Sequence, residues 1–266
     1  MLLTTTFLNA VIDIAHQAGE KIMSVYHQQG ADIDFIQKED GSPLTKADLL
    51  AHQTIVDGLK LLTPDIPVLS EESSEIEYAQ RHQWSQLWMI DPLDGTKEFI
   101  HRTDEFTVNI ALIIHHQPVL GVVFAPALGV TYFAMDGNGA YKKYVNKTQR
   151  ISARFPIALP YQVVASRRHG GEALEKFLQQ LPGHVLVNAG SALKICLVAE
   201  GVADFYPRLG PTSEWDTAAG HAIINNANGV IYDSQKRSFC YNARETLLNS
   251  SFIVSHKDAS QFMLFY

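Results

Sequence analysis

A mixed α/β (α+β) fold in two halves is predicted by three features of the sequence. Two long amphipathic helical patterns open the chain. A run of β patterns follows between residues 106 and 144. After about residue 150, short strand and helix patterns alternate, which layers helices on a sheet. The 266 residues are 46% hydrophobic and 18% charged, ample for a large core. No internal repeat, low-complexity stretch or flexible linker interrupts them. The halves, residues 1–150 and 151–266, are therefore expected to pack as one unit with a cleft between them.

In residues 6–28, Leu8, Val11, Ile12, Ala15, Ala18, Ile22 and Val25 recur at helical spacing and bury one face. Gly30 is the expected stop. A short strand at 33–37 and the turn Asp40-Gly41-Ser42-Pro43 lead to a second helix at 46–62, ended by Thr63-Pro64-Asp65. The strand 67–70 delivers Glu71 and Glu72. The buried strand 87–90 delivers Asp91, and a helical turn starts at Gly95. The apolar runs 107–114, 119–124 and 130–135, separated by turn residues, predict an antiparallel meander. In the second half, strands are expected at 163–165, 185–187, 204–206 and 230–232. Helices are expected at 172–181, 192–200 and 214–226.

The net charge of −7, from 21 basic and 28 acidic residues, argues against a nucleic-acid surface. It leaves room for a small anionic substrate held by a metal and a few local cations. Two cysteines, Cys196 and Cys240, are too few for a disulfide scaffold and read as reduced thiols in a cytoplasmic protein. No signal peptide or membrane-spanning run is visible. Peripheral attachment at a membrane surface, such as the cytoplasmic face of an inner membrane, stays open.

The chemistry is concentrated in Asp91-Pro92-Leu93-Asp94-Gly95-Thr96, with Glu71-Glu72 upstream and Trp215-Asp216 downstream. Carboxylates brought together repel one another, and Mg²⁺, bound by oxygen ligands and a substrate phosphate, is the usual agent that joins them. Pro92 stiffens the turn, and Gly95 permits close approach or an unusual φ. The N–H groups after Asp94 can cradle a phosphate. Taken singly, each acid is explained as well by a cap, a turn or a solvated loop. An EF-hand fails because Arg102 stands where a glutamate ligand is required. The chain holds no P-loop and no G-x-S-x-G nucleophile turn.

These acids, together with Lys97-Glu98-Phe99 and Thr217-Ala218-Ala219-Gly220, resemble the two signatures of the inositol monophosphatase superfamily, nearly end to end. The resemblance implies a layered αβαβα sandwich, with an antiparallel sheet in the first half and a mixed α/β second half. It also implies a Mg²⁺-dependent, lithium-sensitive phosphatase. By motif position, Glu71, Asp91, the Leu93 carbonyl, Asp94 and Asp216 would hold two or three Mg²⁺, with Glu72 behind them. Asp48 and Thr96 would orient and deprotonate the attacking water. In-line displacement needs such positioning and charge stabilisation more than a protein nucleophile.

Lys97-Glu98-Phe99 is more similar to the 3′(2′),5′-bisphosphate nucleotidases than to the inositol enzymes. Ser166-Arg167-Arg168-His169, Gly190-Ser191-Ala192-Leu193-Lys194 and Tyr206-Pro207-Arg208 resemble their substrate segments. The implied substrate is adenosine 3′,5′-bisphosphate, a by-product of sulfate assimilation, with its sulfated parent as a further candidate. The scissile end would lie on Glu71, Leu93, Asp94, Gly95, Thr96 and Asp216. His169, Ser191, Lys194 and Arg208 would contact the adenosine or the 5′-phosphate. Ala192 stands where another serine is expected, so a hydroxyl contact is lost there. An inositol or sugar phosphatase, or a non-catalytic nucleotide sensor, is the alternative. Trp84, Trp88 and Phe99 read as packing rather than as a stacking platform. Residues and resemblance leave the oligomeric state open.

Overall fold

The computed structural model describes residues 3–28, 35–38, 43–166 and 171–259. Gly30, residues 40–42 and His169 lie outside them. In chain order the elements are α1 (Thr5–Gln28), β1 (Phe35–Gln37), β2 (Pro43–Thr45), α2 (Lys46–Leu62) and β3 (Val68–Ser70). Next come α3 (Tyr78–Arg81), β4 (Gln86–Asp94), α4 (Thr96–Ile100), β5 (Thr107–Ile114), β6 (Gln117–Ala125), β7 (Val130–Met135), β8 (Gly139–Tyr144) and β9 (Lys147–Ile151). The second half holds β10 (Tyr161–Ala165), α5 (Gly171–Gln179), β11 (His184–Asn188), α6 (Leu193–Ala199), β12 (Phe205–Arg208), α7 (Glu214–Asn226), β13 (Gly229–Asp233) and β14 (Phe252–His256).

Strands β3 to β9 form a seven-stranded sheet in sequence order, antiparallel except for the β3–β4 pair. A five-stranded mixed sheet has the order β11-β10-β12-β14-β13. Side-chain alternation shows why the central strands read as unbroken apolar runs. Val108, Ile110 and Leu112 of β5 pack toward α1 and α2, whereas Ala111 and Ile113 pack toward α6 and α7. A sheet covered on both faces needs apolar residues at every position.

The layers follow from these packings: α1 and α2, the large sheet, α6 and α7, the small sheet, then α5. Leu174, Phe177 and Leu178 of α5 close the outer face of the small sheet over Val163, Phe205 and Ile253. The Ala218-Ala219-Gly220 run lets α7 lie between two sheets. A Cβ on Gly121 of β6 would stand only 2.2 Å from the Ala219 carbonyl oxygen. The expected αβαβα sandwich is therefore the observed one. Among the described residues no helix is long and apolar enough to cross a membrane.

Five elements depart from the sequence reading. β4 continues through Pro92 to Asp94 instead of ending at Ile90, with a register shift against β5 between Asp91 and Asp94. Proline has no N–H for the ladder, so it sits at the irregularity. β2, β9 and α3 also form where no element is expected. β14 is a further addition, and it lies between β12 and β13 inside the small sheet. Trp88 and Phe99 are fully buried in the core, as expected of packing residues.

Candidate active site

Three chain segments bring the acids together. Ser70 ends β3 and caps the short 3₁₀ turn Glu71–Ser73. The irregular end of β4 presents Asp91, the Leu93 carbonyl and Asp94. The Leu93 N–H donates to Asp91 Oδ1 at 3.1 Å, which fixes that carboxylate. Asp216 enters from the second half at the third position of α7. There it accepts the Ser213 N–H at 2.9 Å in a capping box. Glu71, Asp91, Leu93, Asp94, Gly95, Thr96 and Asp216 line one cleft.

Burial and neighbouring charges raise the proton affinity of these carboxylates. Asp91 is buried, and burial first, then Glu71, Asp94 and Asp216, push its carboxyl well above the usual range. Burial pushes Asp94 up to about 6 against the opposing pull of Lys194. Burial and then Asp94 push Asp216 up to about 8. Among the described residues no three acids close on one point. Lys38 brings a positive charge to the edge of the cleft. Its Nζ donates to Glu71 Oε1 at 2.8 Å and to Glu72 Oε1 at 2.7 Å. An all-oxygen set with this much uncompensated charge fits a hard divalent ion.

Asp48 and Thr96 meet at one edge of the cleft. Asp48 is buried at the start of α2, where its Oδ2 accepts the Thr45 N–H at 2.7 Å and the Thr45 hydroxyl at 2.6 Å. Its Oδ1 faces the Thr96 hydroxyl at 3.3 Å, which also lies 3.3 Å from the Leu93 carbonyl. Burial raises the Asp48 carboxyl to about 6, against the two Thr45 hydrogen bonds. Gly95, at φ 89°, turns the chain from β4 into α4. A Cβ there would lie 2.5 Å from Ser191 Oγ.

A second cleft shares Asp94, Gly95 and Asp216 with the first and runs on to Glu98, Ser191, Lys194, Tyr206 and Arg208. Lys194 is buried and its Nζ donates to the Ser191 carbonyl at 2.7 Å. Burial lowers its ammonium pKa, opposed mainly by Asp94. Arg208 Nη2 donates to the Pro211 carbonyl at 2.7 Å, while its buried Nε has no hydrogen-bond partner among the described residues. The Ser191 hydroxyl approaches the Asp94 carbonyl at 3.0 Å and the Glu105 carbonyl at 2.5 Å. One proton cannot serve both, so the hydroxyl chiefly ties the two clefts' walls together.

Of the residues singled out in the sequence, those in the described segments gather around the two clefts, with Asp48 buried behind Thr96. Lys38 and Thr45 join the site without being singled out by the sequence. Thr45-Lys46-Ala47-Asp48 carries the capping-box pattern, a readable signal for Thr45. Lys38 has no signal, because only tertiary packing carries it to Glu71. Cys196 is buried, Cys240 is exposed, and both are free.

A model of the inositol monophosphatase family matches residues 4–262. The 3′(2′),5′-bisphosphate nucleotidase CysQ of Escherichia coli K12 is 49% identical over 248 residues, covering 93% of this chain and 99% of that protein. The Salmonella typhimurium protein of the same name is 50% identical over 249 residues, with the same coverage. The crystal structure of CysQ from Bacteroides thetaiotaomicron superposes with a TM-score of 0.85 at 42% identity, covering 97% of this chain and 99% of that one.

Proposed function

The chain belongs to the inositol monophosphatase family, and we infer that it hydrolyses the 3′-phosphate of adenosine 3′,5′-bisphosphate to give adenosine 5′-monophosphate. The observation that carries this reading is an acidic cleft that shares a wall with a second cleft holding Lys194 and Arg208. It agrees with relatives named as bisphosphate nucleotidases over nearly their whole length. Turnover of this by-product places the enzyme in sulfur assimilation, and the sulfated parent nucleotide presents the same 3′-phosphate.

Glu71, Asp91, the Leu93 carbonyl, Asp94 and Asp216 would hold Mg²⁺, with two or three ions in turnover. Bound there, Mg²⁺ supplies Lewis-acid polarisation of the phosphoryl group and activation of water. The protein's own part is proton handling and orientation. The Thr96 hydroxyl, set between Asp48 and the Leu93 carbonyl, orients the attacking water. Asp48 receives its proton through Thr96. A carboxyl lifted to about 6 is a competent base near neutrality. The 3.3 Å separation is loose, as such hydrogen bonds are before substrate binds.

In the second cleft, Lys194 and the orphaned Arg208 Nε are donors for the 5′-phosphate. Ser191 shapes the wall, and His169, outside the described residues, is assigned to the adenosine by motif position. Residues 1–150 carry the main metal motif, and residues 151–266 carry the substrate segments and the last ligand. The reduced thiols suit a cytoplasmic enzyme, and any membrane contact would be peripheral.

The test is phosphate release with Mg²⁺ from adenosine 3′,5′-bisphosphate and from inositol 1-phosphate, for wild type and Arg208→Ala. The bisphosphate should be the faster substrate. Arg208→Ala should raise its KM about tenfold to a hundredfold, since charge-assisted hydrogen bonds are lost, and barely change the monophosphate. Faster release from inositol 1-phosphate would overturn the reading. Equal losses on both substrates would remove Arg208 from phosphate binding.

A further inference from the structure

Glu98 is an acid on the second cleft. It lines that cleft with Lys194 and Arg208, where a phosphate is expected. A carboxylate repels phosphate and can only accept hydrogen bonds. It is therefore suited to meet a donor on the part of the substrate between the two phosphates.

Its position narrows which donor. A Cβ built on Gly95 would stand 3.3 Å from Glu98 Oε2, and one built on Gly190 would stand 3.0 Å from Glu98 Cγ. The carboxylate thus rests against the Gly95 backbone, at the wall common to both clefts. Glu98 is half-buried, and its carboxylate accepts no hydrogen bond from the described residues. Given the substrate reading above, on which this step rests, the 3′-phosphate lies on the acid side and the 5′-phosphate on the cation side. The ribose must then cross at Gly95. The hydroxyl next to the 3′-phosphate is the donor that arrives there, while the base extends further into the second half.

We propose that Glu98 is a specificity-determining residue whose carboxylate accepts a hydrogen bond from the ribose 2′-hydroxyl, vicinal to the scissile phosphate. Lys97, its exposed neighbour, takes no part. A site built to hydrogen-bond a substrate hydroxyl discriminates against the analogue lacking it.

The experiment compares adenosine 3′,5′-bisphosphate with its 2′-deoxy counterpart in wild type, Glu98→Gln and Glu98→Ala, under Mg²⁺. Wild type should lose about tenfold to a hundredfold in kcat/KM on the deoxy substrate. Glu98→Ala should lose a similar factor on the ribose substrate and bring the two substrates to parity. Glu98→Gln, which keeps an acceptor without the charge, should fall between. Calorimetry with adenosine 5′-monophosphate and its 2′-deoxy form, in metal-free protein, should show the same convergence in Kd. A discrimination that survives in Glu98→Ala, or wild type indifferent to the 2′-hydroxyl, would overturn the proposal. Turnover of inositol 1-phosphate with neither bisphosphate cleaved would overturn the substrate reading itself, and this assignment with it.

Discussion

Asp91→Asn should abolish phosphatase activity and at the same time raise the melting temperature of the metal-free protein at pH 8. The two effects have one cause. Asp91 is buried among Glu71, Asp94 and Asp216, and each neighbour pushes its carboxyl upward. A carboxyl whose folded pKa lies above its unfolded value binds its proton more tightly in the folded state. Its stabilising contribution is complete below about pH 4, the unfolded value, and is lost as pH rises through the folded values. Those values are about 6 for Asp94 and about 8 for Asp216. The metal-free wild type should therefore melt lower at pH 8 than at pH 5.

Asparagine keeps the acceptor for the Leu93 N–H and removes one buried charge. Relief of about 1–2 kcal/mol of like-charge repulsion corresponds to a Tm gain of roughly 3–6 °C at pH 8. Activity should fall by about a thousandfold or more, because the proposed function makes Asp91 a metal ligand, worth several kcal/mol of transition-state stabilisation. Mg²⁺ should raise the wild-type Tm at pH 8 and raise that of the variant far less. Thermal melts at pH 5 and pH 8, with and without Mg²⁺, check this. A variant less stable than wild type at pH 8 but equal to it at pH 5 would show that these acids do not strain the fold.

Asp48→Asn should lower kcat about a hundredfold to ten-thousandfold, the usual range for a lost general base, with KM and Mg²⁺-induced stabilisation nearly unchanged. The change separates the two things Asp48 does. Its Oδ2 accepts the Thr45 N–H in the capping box of α2, and an asparagine amide oxygen can accept the same bond. Its Oδ1 faces Thr96, where an amide group cannot take up a proton. A kcat within a few-fold of wild type would reduce Asp48 to a helix cap. Thr96→Ala should reproduce the kcat loss while leaving the α2 cap intact.

The contrast between what the sequence displays and what it conceals is physical. α2 is legible because its apolar spacing and its Thr-Pro-Asp terminator are both local. β5 is legible as a strand, and its unbroken apolar run already implies cover on both faces. Asp91, Asp94 and Asp216 are legible because each sits in a motif with its own turn or helix-start chemistry. Lys38 is not, since its contact with Glu71 and Glu72 depends on where the β1–β2 pair docks. The Ser191 tie to the Asp94 and Glu105 carbonyls joins residues far apart in sequence through backbone atoms, which leave no side-chain signature. β14 is concealed for a similar reason. Only three apolar residues mark it, and its place between β12 and β13 is set by the sheet.

The proposed substrate lies in a fixed direction, with the 3′-phosphate on the acid cleft and the 5′-phosphate beside Lys194 and Arg208. Chromatographic identification of the nucleotide formed from adenosine 3′,5′-bisphosphate tests it most directly. Adenosine 5′-monophosphate and one equivalent of inorganic phosphate are the expected products; adenosine 3′-monophosphate would show the reverse direction and overturn the assignment.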